Sequence, residues 1–211
     1  MPLDKVRDLG VIIDSKLTME SHTASVARSC FYQLRSIQRS LTTDARRTLV
    51  TAFVANRVDY CNAVLYGTST SVTRRLQMVL NSAARMVVGF GKYEHITPVL
   101  RDILHWLPVT ARIQFRIAVL TFDCVRGTGP VYLKQAIWPV SESSLRSLRS
   151  AGRGDLFVLQ ANTSIGQRSF SITAPVVWNA LPPDLRSPLN SRQQFRSKLK
   201  THLFRQAYNT A

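Results

Sequence analysis

The sequence predicts a mainly α fold: a helical bundle with a short N-terminal strand and a few short strands before a C-terminal helix. Three observations carry that expectation. Apolar residues recur every three or four positions through most of residues 21–125. One short β-branched run, Val11-Ile12-Ile13, stands near the start. The last stretch, about Arg192 to Tyr208, puts Phe195, Leu199, Leu203 and Phe204 on one side of a helix and basic residues elsewhere.

Taken in order, Leu9-Gly10-Val11-Ile12-Ile13-Asp14 reads as one strand. A lone strand cannot satisfy its edges, so its partners are expected to lie outside this stretch, most simply upstream of the chain. Val26, Cys30, Leu34, Ile37 and Leu41 then share one helical face, with Arg28, Arg35 and Arg39 on another. Thr42-Thr43-Asp44 offers an N-cap for a second helix, whose expected apolar line is Leu49, Phe53, Asn56 and Tyr60. Gly67 to Ser71 is a turn and cap. A third helix runs through Leu76, Val79, Leu80, Ala83 and Val87, ended by Gly89 and Gly91. Thr97-Pro98 suits a helix start and Pro108 a helix end. Val109 to Val125 carries Ile113, Ile117, Leu120 and Cys124 at helical spacing, with Arg112 and Arg116 one turn apart on a different face, and Gly127 to Pro130 stops it. Residues 141–154, rich in Ser, Arg and Gly, read as a basic loop. Strand-like pieces follow at Leu156–Leu159 and Ser169–Ile172, then a Pro-rich turn at Leu181-Pro182-Pro183.

Charge restricts the function further. The 211 residues hold 28 Lys+Arg against 12 Asp+Glu, a net charge of +16. Such an excess repels itself unless an anion is nearby, and nucleic acid, an acidic protein or an anionic membrane are the usual ones. Of the basic residues, 22 are Arg and 6 are Lys. Guanidinium forks bind phosphate bidentately and stack on bases, which favours RNA or DNA over an acidic protein. No uncharged stretch is long enough to span a bilayer, and the N-terminus lacks the apolar core of a signal peptide. Cys30, Cys61 and Cys124 are odd in number and widely spaced, which fits a reducing compartment, nuclear or cytoplasmic.

Catalytic sets are not visible in the sequence. There is no Gly-rich phosphate loop, no nucleophile elbow and no two adjacent carboxylates. His22, His95, His105 and His202 lack metal-ligand spacing, and a lone His beside apolar residues is usually structural. Cys61, in Asp59-Tyr60-Cys61-Asn62, is expected to be a buried small hydrophobe, with Tyr60 and Asn62 fixing a helix end. No catalytic residue, metal, cofactor or small-molecule substrate is assigned.

Several phrases, in this order and spacing, resemble the C-terminal part of LINE-type (non-LTR) retrotransposon reverse transcriptases of the chicken-repeat and jockey-like group. They are Leu9 to Asp14 with Leu17 and His22, Arg57 to Asn62, Asn81 to Arg85, Glu94 to Leu100, His105 to Val109 with Arg112-Ile113, Ala174-Pro175, Trp178 to Pro182, and Phe195 to Lys200. The resemblance implies that residues 1–20 are the end of a polymerase palm and 21–140 a helical thumb-like domain. It implies that 141–154 are a basic loop and 155–211 a C-terminal extension with a terminal helix. In that family the Leu-Gly-Val phrase follows the catalytic Ala-Asp-Asp motif. This chain has no Asp-Asp dipeptide. RNA-directed DNA polymerisation needs such carboxylates to hold Mg²⁺, so the chain by itself is expected to be inactive.

The expected nucleic-acid-binding residues are Arg28, Arg35, Arg39, Arg112, Arg116, Arg196, Lys198 and Lys200. The expected partner is RNA or an RNA–DNA hybrid held through its phosphates. For each cluster the plain alternative is a solvated outer face. Phe115, Trp106 and Trp178 can stack on bases, but beside apolar residues and Pro they are more often packing anchors. The alternative readings are a host interaction module for an acidic protein and a decayed element fragment without function.

Overall fold

The computed structural model describes residues 4–37, 41–143 and 154–209. It is mainly helical, with a two-stranded antiparallel sheet at the N-terminus. The chain forms two compact units, Met1–Arg112 and Ile113–Ala211, and the division falls within one helix, Val109–Val125.

The first unit opens on a hairpin. Strand β1, Lys5–Asp8, pairs antiparallel with β2, Val11–Asp14, in the register Asp8↔Val11. The expected strand is therefore not alone: its partner is the charged segment just before it, across a loop of two residues. Both loop residues have positive φ, Leu9 at 42° and Gly10 at 84°. That is the handedness a two-residue hairpin needs. Glycine adopts it without cost, whereas leucine does not. The Tyr60 hydroxyl donates to the Leu9 carbonyl at 2.7 Å and pins the turn. Asp14 then joins hairpin to helix. Its carboxylate accepts from the Thr18 and Met19 N–H groups, each at 2.9 Å, and from the Thr18 hydroxyl at 3.1 Å. Burial raises its pKa, but these hydrogen bonds outweigh burial and leave it below the usual carboxylate value.

Helix α1, Glu20–Ser36, buries Val26, Cys30 and Leu34, the face expected from spacing. Helix α2, Thr43–Val50, starts at Thr42, whose hydroxyl accepts from the Ala45 N–H. A π-helical turn, Thr51–Ala55, continues it into α3, Asn56–Asp59. Here the buried line is Val50, Val54 and Val58, not the expected Leu49, Phe53, Asn56 and Tyr60. A π turn lengthens the local repeat beyond 3.6, so residues four apart stay on one face and the aromatic pair turns outward. Helix α4, Thr70–Val88, buries Val72, Leu76, Val79, Leu80, Ala83 and Val87 against α1 and α2, and Gly89 ends it at φ 78°. A second π turn, Val99–Ile103, follows. Pro108 does not end that segment. It stands at the start of α5, Val109–Val125, where its carbonyl accepts from the Arg112 N–H.

In the second unit, α5 is followed by α6, Val131–Lys134, and α7, Val140–Ser143. Residues 141–143 are thus helical, and 144–153 of the expected basic loop lie outside the described residues. Of the expected strand pieces, Leu156 forms only an isolated bridge with Pro139. Ser169–Ile172 is a correction: Ser169 is the N-cap of α8, Phe170–Asn179. Serine there ends extended backbone and begins the helix, which an apolar alternation over four residues cannot distinguish from a strand. The one-turn helix α9, Pro183–Arg186, precedes α10, Arg192–Tyr208, which begins at a full capping box of Ser191 and Gln194. The core of this unit is aromatic. Phe195 stacks on Phe122 at 4.3 Å and meets Trp178 at 6.0 Å. Trp178 is fully buried and donates its indole N–H to the Gly154 carbonyl.

Candidate nucleic-acid interface

Arg28 and Arg35 are exposed on α1, two turns apart and so on one face. Neither has an ion-pair partner among the described residues. Arg39 lies outside the described residues. Arg112 is differently placed. Its guanidinium donates to Asp59 Oδ2 and to the Leu107 carbonyl, both at 2.7 Å, and lies over the Trp106 ring at 5.9 Å. Those contacts commit its fork to holding α3 to α5 within the first unit. Trp106, half-buried beneath it, serves as its platform. Arg116 is exposed.

On α10, Phe195, Leu199 and Leu203 are buried, and Arg196, Lys198 and Lys200 are exposed. These three do not make one basic face. Arg196 and Lys200 are one turn apart, while Lys198 stands about 200° around the helix from Arg196. Its ammonium donates to Asn190 Oδ1 at 2.8 Å. Arg192 is bound as a fork to Asp123 at 2.7 and 2.8 Å.

The first unit also holds a cleft that spacing alone does not reveal. It lies between the hairpin, α1, the first π turn and α3, with a volume of about 470 Å³. That is within the range of a site for a nucleotide-sized ligand, about 300–1,000 Å³. Arg7 and Arg57 supply positive charge, and Phe53 and Tyr60 supply aromatic surface. Phe53 and Tyr60 are 50% and 52% exposed. No carboxylate lines the cleft among the described residues. His22 forms part of its wall, buried, with Nδ1 accepting from the Ile12 N–H at 3.4 Å. Burial first, and then the positive charges of Arg57 and Arg7, lower its pKa below the ordinary histidine value. His22 is therefore neutral at physiological pH, with Nδ1 as acceptor.

The lowered pKa fixes a sign. The unfolded chain binds a proton at His22 more readily than the folded one, so folding stability is full above about pH 6.5 and falls as pH drops through the lowered folded-state value. Thermal melts at pH 7.5 and 5.0 are expected to show that loss. His22→Asn, which retains a neutral acceptor, should lose less over the same interval. Equal losses in both proteins would contradict it.

Phe53, Arg57 and Tyr60 share a sequence signal: an aromatic, an arginine four residues on and an aromatic three beyond, all on one helical stripe. The 3.6 repeat places Phe53 and Tyr60 on the expected apolar line and so conceals it. The cysteines correct another expectation. Cys61 is exposed, at φ 51°, whereas Cys30 and Cys124 are buried. Burial pushes the Cys30 thiol up to about 11 and also raises that of Cys124, so both are inert thiols. Tyr60 fastens the hairpin, and Asn62 is buried with Nδ2 3.5 Å from Asp59 Oδ1. His95 and His105 are both exposed.

Among the described residues no three His, Cys, Asp or Glu side chains are grouped as a metal ion would require. No described helix is long and apolar enough to cross a membrane. Comparison with family models, with curated proteins and with solved structures finds no match for the chain.

Proposed function

We propose that this chain is the nucleic-acid-binding C-terminal part of a LINE-type RNA-directed DNA polymerase, without the catalytic carboxylates. In this proposal it holds RNA or an RNA–DNA hybrid inside the cell, in nucleus or cytoplasm. The observation that supports it best is the cleft of Arg7, Arg57, Phe53 and Tyr60. Arginine forks and half-exposed aromatic side chains, with no lining carboxylate among the described residues, are the combination that binds a phosphate and stacks a base. Arg28 and Arg35 are exposed on the neighbouring α1, on a different face from the residues that line the cleft.

The test is equilibrium binding of single-stranded RNA to the full chain. Phe53→Ala removes one stacking face, and its side chain is half exposed, so the fold tolerates the change. Affinity should fall about 5- to 150-fold, the range for loss of one stacked base. Arg57→Gln should weaken binding and reduce the salt slope by about 1. Unchanged affinity in both variants would overturn the proposal for this cleft.

A further inference from the structure

A second cavity of the first unit, about 210 Å³, lies where the start of α2 meets the end of α4. It is below the size of a nucleotide pocket, about 300 Å³, and suits a smaller ion. Arg46, Arg85 and Lys92 line it with the hydroxyl of Ser82, and no carboxylate does among the described residues. Both guanidiniums are held in place by hydrogen bonds to the protein. Arg46 Nη1 donates to the Met86 carbonyl at 2.9 Å and Nη2 to the Thr43 hydroxyl at 3.3 Å. Arg85 Nη2 donates to the Glu94 carbonyl at 3.1 Å. The carboxylate nearest in sequence, that of Glu94, accepts from the Gly91 N–H at 2.7 Å.

This arrangement is incomplete as it stands. The Nε atoms of both Arg46 and Arg85 are buried and have no hydrogen-bond partner. A buried unpaired donor on a charged group is costly, and two of the three guanidinium Nε atoms so placed among the described residues belong to side chains that line this cavity. The Met86 carbonyl and the partial negative charge at the end of α4 offset only part of three positive charges. The same cavity would be closed by an oxyanion, which accepts several charge-assisted hydrogen bonds at once.

We propose that this cavity is a binding site for a single phosphate group, held by Arg46, Arg85 and Lys92 with Ser82 as a neutral partner. The phosphate comes either from free inorganic phosphate or from a nucleic-acid strand. The site is distinct from the Phe53–Arg57 cleft, and it stands or falls separately from the function proposed above.

The experiment uses the full chain and inorganic phosphate, at ionic strength matched with chloride. Phosphate at ten times its dissociation constant should raise Tm by about 3–6 °C. It should shift backbone amide resonances clustered at Ser82–Phe90 and Arg46. Arg85→Gln should abolish both effects, whereas Arg28→Gln with Arg35→Gln should abolish neither. If Arg85→Gln does not fold, Lys92→Gln serves instead, because among the described residues Lys92 makes a ring contact with Tyr93 at 5.6 Å and no hydrogen bond or ion pair. That variant should weaken phosphate binding severalfold.

A second arm identifies the source. Where the phosphate belongs to a strand, inorganic phosphate competes with an RNA oligonucleotide and Arg85→Gln or Lys92→Gln lowers RNA affinity. Where it is free phosphate, RNA affinity is unchanged while the phosphate effects are lost. Equal Tm in phosphate and chloride, or resonance shifts scattered over other basic residues, would overturn the proposal.

Discussion

RNA affinity is expected to fall by roughly three hundredfold between 50 and 200 mM salt. Phosphate contacts release condensed counterions, and about six contacts produce a fall of this size. The chain has the charge for it, +16 overall, with Arg7 and Arg57 in the cleft and Arg28 and Arg35 exposed on α1. Arg112 and Arg192 are bound to Asp59 and Asp123, so they should add little to the slope. The pair Arg28→Gln and Arg35→Gln should flatten the slope by about 2 without unfolding the chain. Titrations at four salt concentrations check both statements. A shallow slope in the unaltered chain would mean that its basic faces are only solvated.

The second large effect is on stability. Phe195→Ala should cost about 3–5 kcal/mol, seen as a lower urea midpoint. Phe195 is fully buried, stacked on Phe122 and in contact with Trp178, so truncation opens a cavity between two aromatic neighbours. Phe195→Leu fills most of that volume and should cost markedly less. A loss for Phe195→Ala comparable to that of an exposed position would contradict this account of the core.

These expectations rest on features that the sequence displayed unevenly. The helical core was legible wherever the 3.6 repeat held. Val26, Cys30 and Leu34 are buried, as are Leu76, Val79, Leu80, Ala83 and Val87, and α5 runs over the predicted span Val109 to Val125. Caps were legible for the same local reason, Thr42 and Gly89 among them. The hairpin was not, because Lys5–Asp8 is exposed and charged and its turn carries Leu-Gly in place of an Asn-Gly signal. The inverted face between Leu49 and Tyr60 has its cause in the π turn, which no periodicity template anticipates.

The candidate site was less legible than the fold. Exposed Arg28, Arg35, Arg116, Arg196 and Lys200 were identifiable from helical spacing alone. Spacing could not tell that Arg112 is committed to Asp59, since the two are far apart in sequence and meet only through tertiary packing. Nor could it show a cleft, whose walls come from the hairpin and from three helical segments. The Arg46–Arg85 cavity was equally hidden, being made where two helix ends meet.

The central claim is that the hairpin–helix cleft holds nucleic acid. Photo-crosslinking of the full chain to 4-thiouridine RNA, with adducts mapped by mass spectrometry, tests it most directly. The dominant adducts are expected on the segment from Phe53 to Tyr60, reduced when Phe53→Ala is used. Adducts confined to the second unit, or spread evenly over the exposed arginines with Phe53 to Tyr60 unmodified, would contradict it.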